Sequence, residues 1–419
     1  MDEVLPVSGG GINDWSGLGI TLVDSLDTLW LMGMKEEFYE AMEWVKNGLN
    51  FDQNKYVSVF ETTIRCLGGL LSAFDLSGED IFLEKAQDLG DRLFQSFSSP
   101  SGAAFAAVNL QTGATKNEDW LAHGGYEVNL AGSTTLPVEF RYLAKATGKR
   151  EYATKAEKVF KDLKKIEPED GLYPGTMNIA EPLSLGYALP QISFGAFGDS
   201  FYEYLLKIWL QGNKSEPMYR EMYDKSIQGM HDRLLREDST SGLWYIGQIR
   251  GGFDSTMEHL VCFMGGLLAL GAYTDPNGLQ SERAQRDLKT GKALTYSCYQ
   301  MYASTKTGLS PDSVNTWNPS AASRRDVEYK LRPETVESFF VLHQLTGDPI
   351  YREWGWEVFQ SIEKYCKTQY AYGSYRDVNN PSHKQNDKME SIFLGETLKY
   401  LYLLFDSDTE MNVLEKVCV

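Results

Sequence analysis

Apolar residues recur three and four positions apart along most of the chain, the spacing of amphipathic helices, as at 81–94 and 152–163. Strand-like alternation is scarce and local. One joint repeats: an apolar helix, a short glycine turn, then an amphipathic helix led by Tyr or Phe. The segments LSGEDIF (76–82), ATGKREY (146–152) and LTGDPIY (345–351) are three copies, and a looser one surrounds Gly212. Each glycine stands where a helix C-terminus favours a residue that tolerates positive φ. A hairpin of two helices cannot bury its apolar face alone, so such hairpins stack or close into a ring. The helices before the joints, 58–74, 136–146, 199–211, 261–271 and 335–346, are the richer in apolar residues and are assigned to an inner ring. Their amphipathic followers form an outer one. The pattern predicts an all-α fold: a single α/α toroid of six or seven helical hairpins spanning 1–419, with short β-hairpins in the loops. The N-terminal ends of the inner helices would form the mouth of a funnel.

Composition narrows the ligand. Hydrophobic residues make up 42% of the chain and charged residues 23%, enough apolar surface for a sizeable core rather than a disordered polymer. The formal charge of -18 repels polyphosphate and anionic lipid, so neither nucleic acid nor a membrane surface is an expected partner. No run of 18 apolar residues occurs. Five cysteines, Cys66, Cys262, Cys298, Cys366 and Cys418, show no CxxC spacing, and His123, His231, His343 and His383 form no metal spacing, so no zinc site is proposed. One N-glycosylation triplet, Asn213-Lys214-Ser215, is compatible with a secretory lumen.

The chemistry lies in carboxylates at the starts of apolar helices. An acid there must be paired, capping or used, because an unpaired buried charge is costly. Glu61, Glu139, Asp199, Glu334, Glu337 and Glu396 all occupy such positions. Any one of them could merely complement a helix dipole. Taken together they would converge on one cavity if every inner helix points its N-terminus at the same mouth. In Arg332-Pro333-Glu334, the proline suits a first helical turn, and Glu337 follows on the same face. Paired acids across a pocket are what glycoside hydrolysis requires, one protonating the leaving oxygen and the other activating water. His259, at the start of another inner helix, is either a structural residue or a ligand contact.

Several longer runs carry a family resemblance: VDSLDTLWLMG (23–33), SVFETTIRCLGGLL (58–71), GDSFYEYLL (198–206), EHLVC (258–262), CYQMY (298–302), LRPETVES (331–338) and KMESIFLGETLKY (388–400). In this order they resemble the class I α-1,2-mannosidases, glycoside hydrolase family 47, of the endoplasmic-reticulum, Golgi or secreted fungal type. The resemblance implies a single catalytic domain with an (α/α)7 barrel. It also implies inverting, calcium-dependent hydrolysis of terminal α-1,2-linked mannose on high-mannose N-glycans. By motif, Glu61 resembles the general acid, Glu334 the base and Asp199 a third catalytic carboxylate. Arg65, Glu139, Phe197, His259, Arg332, Glu337 and Glu396 resemble the substrate-binding lining. Glu334, Glu337 and Glu396 would hold calcium through water. Cys262 and Cys298 resemble the family's disulfide pair, which points to the secretory pathway or the cell exterior.

Three departures from the family pattern follow. The threonine that would ligate calcium directly is expected beyond Val419, and both ends of the chain are expected to be trimmed. Ile392 stands where the family has a sugar-stacking Phe, which should weaken that subsite. Phe197 stands where endoplasmic-reticulum members carry a branch-selecting Arg and Golgi members an apolar residue, which implies broader branch choice. The partners implied are high-mannose glycans on glycoproteins, without nucleic acid or membrane contact by this domain, and a monomer. A mannose-binding quality-control lectin of the same family is the rival reading. A different α/α-toroid glycosidase, such as one acting on glucans, would need other motifs.

Overall fold

The computed structural model describes residues 1–117, 121, 125–186, 191–315, 326–407 and 411–414. His123 and Cys418 lie outside the described residues. The helices in chain order are α1 (Ile20–Asp24), α2 (Leu26–Leu31), α3 (Lys35–Asn47), α4 (Val59–Glu61), α5 (Gly68–Ser77), α6 (Asp80–Leu93), α7 (Leu130–Thr134) and α8 (Pro137–Thr147). They continue with α9 (Glu151–Lys165), α10 (Asp199–Gln211), α11 (Pro217–Arg233), α12 (Met264–Tyr273), α13 (Glu282–Ala303), α14 (Glu334–Thr346), α15 (Ile350–Tyr365) and α16 (Leu398–Phe405). The inner ring runs α1/α2, α5, α8, α10, α12, α14, α16. It closes where α16 meets α2. Each outer helix, α3, α6, α9, α11, α13 and α15, packs on its inner partner.

Pattern explains placement. On α9 the buried set is Tyr152, Ala156, Val159, Phe160 and Leu163, one stripe, while Glu151, Lys155, Lys161 and Lys165 are exposed. On α12, MGGLLALGAY, nearly every residue is buried, as a helix enclosed on all sides requires. Its small residues let backbones approach: a Cβ on Gly291 of α13 would lie 2.7 Å from the Gly265 carbonyl oxygen. Cys262 and Cys298 form a disulfide with a Cα separation of 5.9 Å, tying the start of α12 to α13, while Cys66 and Cys366 are buried free thiols.

The repeated joint has the predicted geometry at three sites. Gly78, Gly148 and Gly347 cap α5, α8 and α14 with φ of 73°, 75° and 69°. The looser fourth joint differs. Gly212 has φ -76°, and Asn213 and Lys214 take the left-handed conformation instead. The predicted helix over 58–74 is also interrupted, because a π-helical turn, Thr62–Leu67, separates α4 from α5. Likewise the helix predicted from 261 begins as a 3-10 turn, His259–Phe263.

Short antiparallel ribbons lead into the mouth ends of inner helices. Tyr56–Ser58 pairs with Ala107–Asn109 in the register Val57↔Val108 and runs straight into α4. Glu127–Asn129 pairs with Thr176–Asn178 before α7. Met257–Glu258 pairs with Ser313–Val314 and delivers His259. Among the described residues no helix is long and apolar enough to cross a membrane.

Candidate active site

At the start of α4 the hydroxyl of Ser58 accepts a hydrogen bond from the Glu61 N–H at 3.3 Å, fixing the cap. The π-helical turn then brings Arg65 back over Glu61, and its Nε donates to Oε2 at 2.8 Å. Arg65 also donates through Nη1 to the Ser391 hydroxyl at 2.9 Å, and that hydroxyl donates to Asp24. Another π-helical turn, Phe393–Thr397, carries Glu396. Single π turns of this kind recur at functional sites, since the extra residue re-aims side chains without ending the helix.

Asp199 and Glu334 are the first residues of α10 and α14. Each follows strained backbone: Phe197 has φ 76° and Leu331 has φ 61°, a region that non-glycine residues adopt only when their surroundings compel it. The Phe197 carbonyl accepts from the Ala131 N–H at 2.9 Å, and the Leu331 carbonyl from the Thr397 hydroxyl at 2.6 Å. These bonds supply the compulsion.

Glu334 is clamped. Its Oε2 lies 2.7 Å from His259 Nδ1, and His259 Nε2 lies 2.9 Å from the Tyr302 hydroxyl and 3.0 Å from that of Thr335. Both imidazole nitrogens are therefore engaged. Arg332 stands nearby with its Nε donating to Asp312 at 2.6 Å, and Lys330 donates to the same carboxylate at 2.7 Å. Burial alone would raise the Glu334 carboxyl, but the His259 bond, its charge and Arg332 outweigh that and hold it below the ordinary range.

The other acids move the opposite way. Burial, then Glu258, Glu203 and Glu334, push Asp199 up to about 7. Burial, with Asp24 and Glu334 adding, pushes Glu396 up to about 7. Glu337 is raised well above the usual range by burial, Glu203, Glu396 and Glu334. Glu334 contributes to the rise of all three, and Glu203 to those of Asp199 and Glu337. Glu139 is enclosed between α8 and α10, 2% exposed. The Tyr204 hydroxyl donates to its Oε1 at 2.6 Å, and burial pushes it up to about 7.

Several members of this network had no role assigned from sequence. Glu258 accepts from the Ala196 N–H at 2.7 Å. Glu203 pairs with Lys207 at 2.7 Å and Asp27 with Lys399 at 2.7 Å. The i,i+4 ladder Asp199-Glu203-Lys207 on one face of α10 was a readable signal for Glu203. Asp312 had none, because it arrives from another segment, whereas Tyr302 lay in the run CYQMY without a role given to it. Among the described residues, no three His, Cys, Asp or Glu side chains are grouped closely enough to hold a metal ion directly.

Residues 1–418 match glycosyl hydrolase family 47. The endoplasmic reticulum mannosyl-oligosaccharide 1,2-alpha-mannosidase of Rattus norvegicus is 42% identical over 432 residues, covering 100% of this chain and 63% of that protein. The Arabidopsis thaliana mannosyl-oligosaccharide 1,2-alpha-mannosidase MNS1 is also 42% identical, covering 99% of this chain and 73% of its own length. The fold matches the α-1,2-mannosidase from Trichoderma reesei with a TM-score of 0.87 and 28% identity, covering 97% of this chain and 89% of that one. The chain thus spans less than two thirds of the rat relative. A family match over residues 1–418 and 42% identity to a relative across the full chain show that the chain belongs to glycosyl hydrolase family 47.

Proposed function

We propose that this chain is a catalytic unit that removes terminal α-1,2-linked mannose from high-mannose N-glycans in the secretory pathway, with inversion at the anomeric carbon. The observation that carries the reading is the Glu334–His259 contact at 2.7 Å, which holds one buried carboxylate ionised beside others that burial drives toward protonation. Glycoside hydrolysis needs that pair of states around neutral pH. The relatives named above, called 1,2-alpha-mannosidases, support the substrate class.

In this reading Glu334 takes a proton from water, whose oxygen bonds to the anomeric carbon as the glycosidic C–O bond breaks. Glu61 gives its proton to the departing oxygen. His259, with both nitrogens engaged, is a positioning residue that keeps Glu334 oriented and charged. Arg65 and Arg332 offer donors to sugar hydroxyls, and Phe197 offers an apolar wall at the mouth. A second assignment makes Asp199 the proton donor. Its rise to about 7 favours that choice, whereas Glu61 is ion-paired with Arg65 at 2.8 Å. The pH profiles of Glu61→Gln and Asp199→Asn separate the two, since the true donor's loss removes the alkaline limb.

Glu334, Glu337 and Glu396 fit a hard cation held through water. Glu334 raises the proton affinity of Glu396, both raise that of Glu337, and added positive charge would relieve that repulsion. A bound calcium ion would orient sugar hydroxyls and neutralise charge at the funnel floor. The deciding experiment follows mannose release from a high-mannose glycan by proton NMR, with and without calcium. β-Mannose should appear first. Binding without release would favour the lectin reading, and α-mannose first would overturn inversion.

A further inference from the structure

The far end of α10 carries a feature that hydrolysis does not use. Asn213-Lys214-Ser215 is the one Asn-x-Ser/Thr triplet in the chain whose central residue is not proline. The triplets at 318–320 and 380–382 both have proline there. All three residues of the 213–215 triplet are exposed. Asn213 and Lys214 have φ of 52° and 62°, left-handed conformations that asparagine tolerates better than most residues.

Local hydrogen bonds fix the turn. The Asn213 and Lys214 N–H groups donate to the Leu210 and Trp209 carbonyls at 2.9 and 2.8 Å, and the Ser215 hydroxyl donates to the Gly212 carbonyl at 2.7 Å. Just beyond, Arg141 Nη2 pairs with Glu216 at 2.6 Å. The helix leading to this turn begins at Asp199 in the funnel mouth and runs 13 residues. At 1.5 Å per residue that puts the triplet about 20 Å away, on the opposite face of the toroid.

We propose that Asn213 is an N-glycosylation site whose carbohydrate stands on the base of the toroid, facing away from the substrate mouth. The inference rests on the secretory reading above. In the modification, the Asn213 side-chain nitrogen bonds to the anomeric carbon of an N-acetylglucosamine donated by a lipid-linked diphosphate oligosaccharide. The sugar–phosphate C–O bond breaks, the lipid diphosphate departs, and the amide loses one proton. A glycan so placed leaves the funnel open, so the chain can carry a glycan of its own substrate's class without blocking its site.

The test expresses the chain behind a secretion signal in a eukaryotic host, then maps peptides by mass spectrometry before and after peptide-N-glycosidase treatment. The peptide holding Asn213 should carry a hexose-rich glycan that the glycosidase removes, and the peptide holding Asn380 should carry none. Asn213→Gln and Ser215→Ala should each abolish the modification and leave mannose release unchanged. Secreted protein with the Cys262–Cys298 disulfide formed and Asn213 unmodified would overturn the proposal, as would a glycan that survives Ser215→Ala. Free thiols at Cys262 and Cys298 would show instead that the secretory reading fails, and the inference would fall with it.

Discussion

The two ends of the same inner helices obey different rules. At the base, three inner helices end on a local device: Gly78, Gly148 and Gly347 cap at positive φ with open space around them. Outer-helix charges near that end are paired, Arg220 with Asp224 at 2.8 Å and Arg283 with Asp275 at 2.7 Å. At the mouth, non-glycine residues hold positive φ, two inner helices begin in π-helical turns, and carboxylates crowd together. The base has one strained turn of its own, Asn213 and Lys214 after α10, but the π-helical turns and the crowded carboxylates lie at the mouth. Such strain persists where surrounding structure over-determines it.

The largest test of that contrast is Glu334→Gln. Removing the proposed base should lower turnover about 10²- to 10⁴-fold, measured as initial mannose release, with the fold retained and the unfolding midpoint no higher than the parent's, because the folded state favours the ionised carboxylate. A variant with normal turnover would move the chemistry elsewhere in the mouth.

Next in size is the covalent tie behind His259. Replacing Cys262 and Cys298 together by Ala opens a loop with a sequence separation of 36 and should cost about 2–4 kcal/mol in chemical denaturation. No loss would mean that packing of α12 on α13 suffices.

Glu139 offers a pH-resolved comparison. Its folded-state carboxyl is raised from 4.5 to about 7, so the folded chain keeps a proton that the unfolded chain releases. The contribution is therefore most favourable below 4.5, declines as pH rises toward about 7, and is flat above. Glu139→Gln removes that decline. Between pH 5 and 8 its stability should fall by about 2 kcal/mol less than that of the parent chain. Equal slopes would show that Glu139 is ionised in place.

The smallest effect belongs to the base. Gly347→Ala meets nothing within 4 Å, so only the positive φ of 69° is penalised. About 1 kcal/mol of stability should be lost with turnover intact. A comparable loss of turnover would show that the two ends are coupled through α14.

Much of the fold was legible because helix periodicity and capping are local. The three glycine joints, the stripe Tyr152-Ala156-Val159-Leu163 and the proline preceding Glu334 are each specified within a few neighbouring residues. The interruption at Thr62–Leu67 was not legible, because the apolar spacing of 58–74 suits a continuous helix. The fourth joint shifted by one residue, since asparagine can take the left-handed conformation that Gly212 was expected to hold.

The site divides along the same line. Glu61 and Arg65 lie four residues apart, so their pairing was available to the sequence. The Glu334–His259 contact spans 75 residues, and the Ala196–Glu258 contact 62. The sequence by itself determined which helices form, which faces turn inward and which carboxylates stand at their starts. Only the tertiary structure decided which of those carboxylates keep a proton, because that depends on burial and on charges brought in from distant segments.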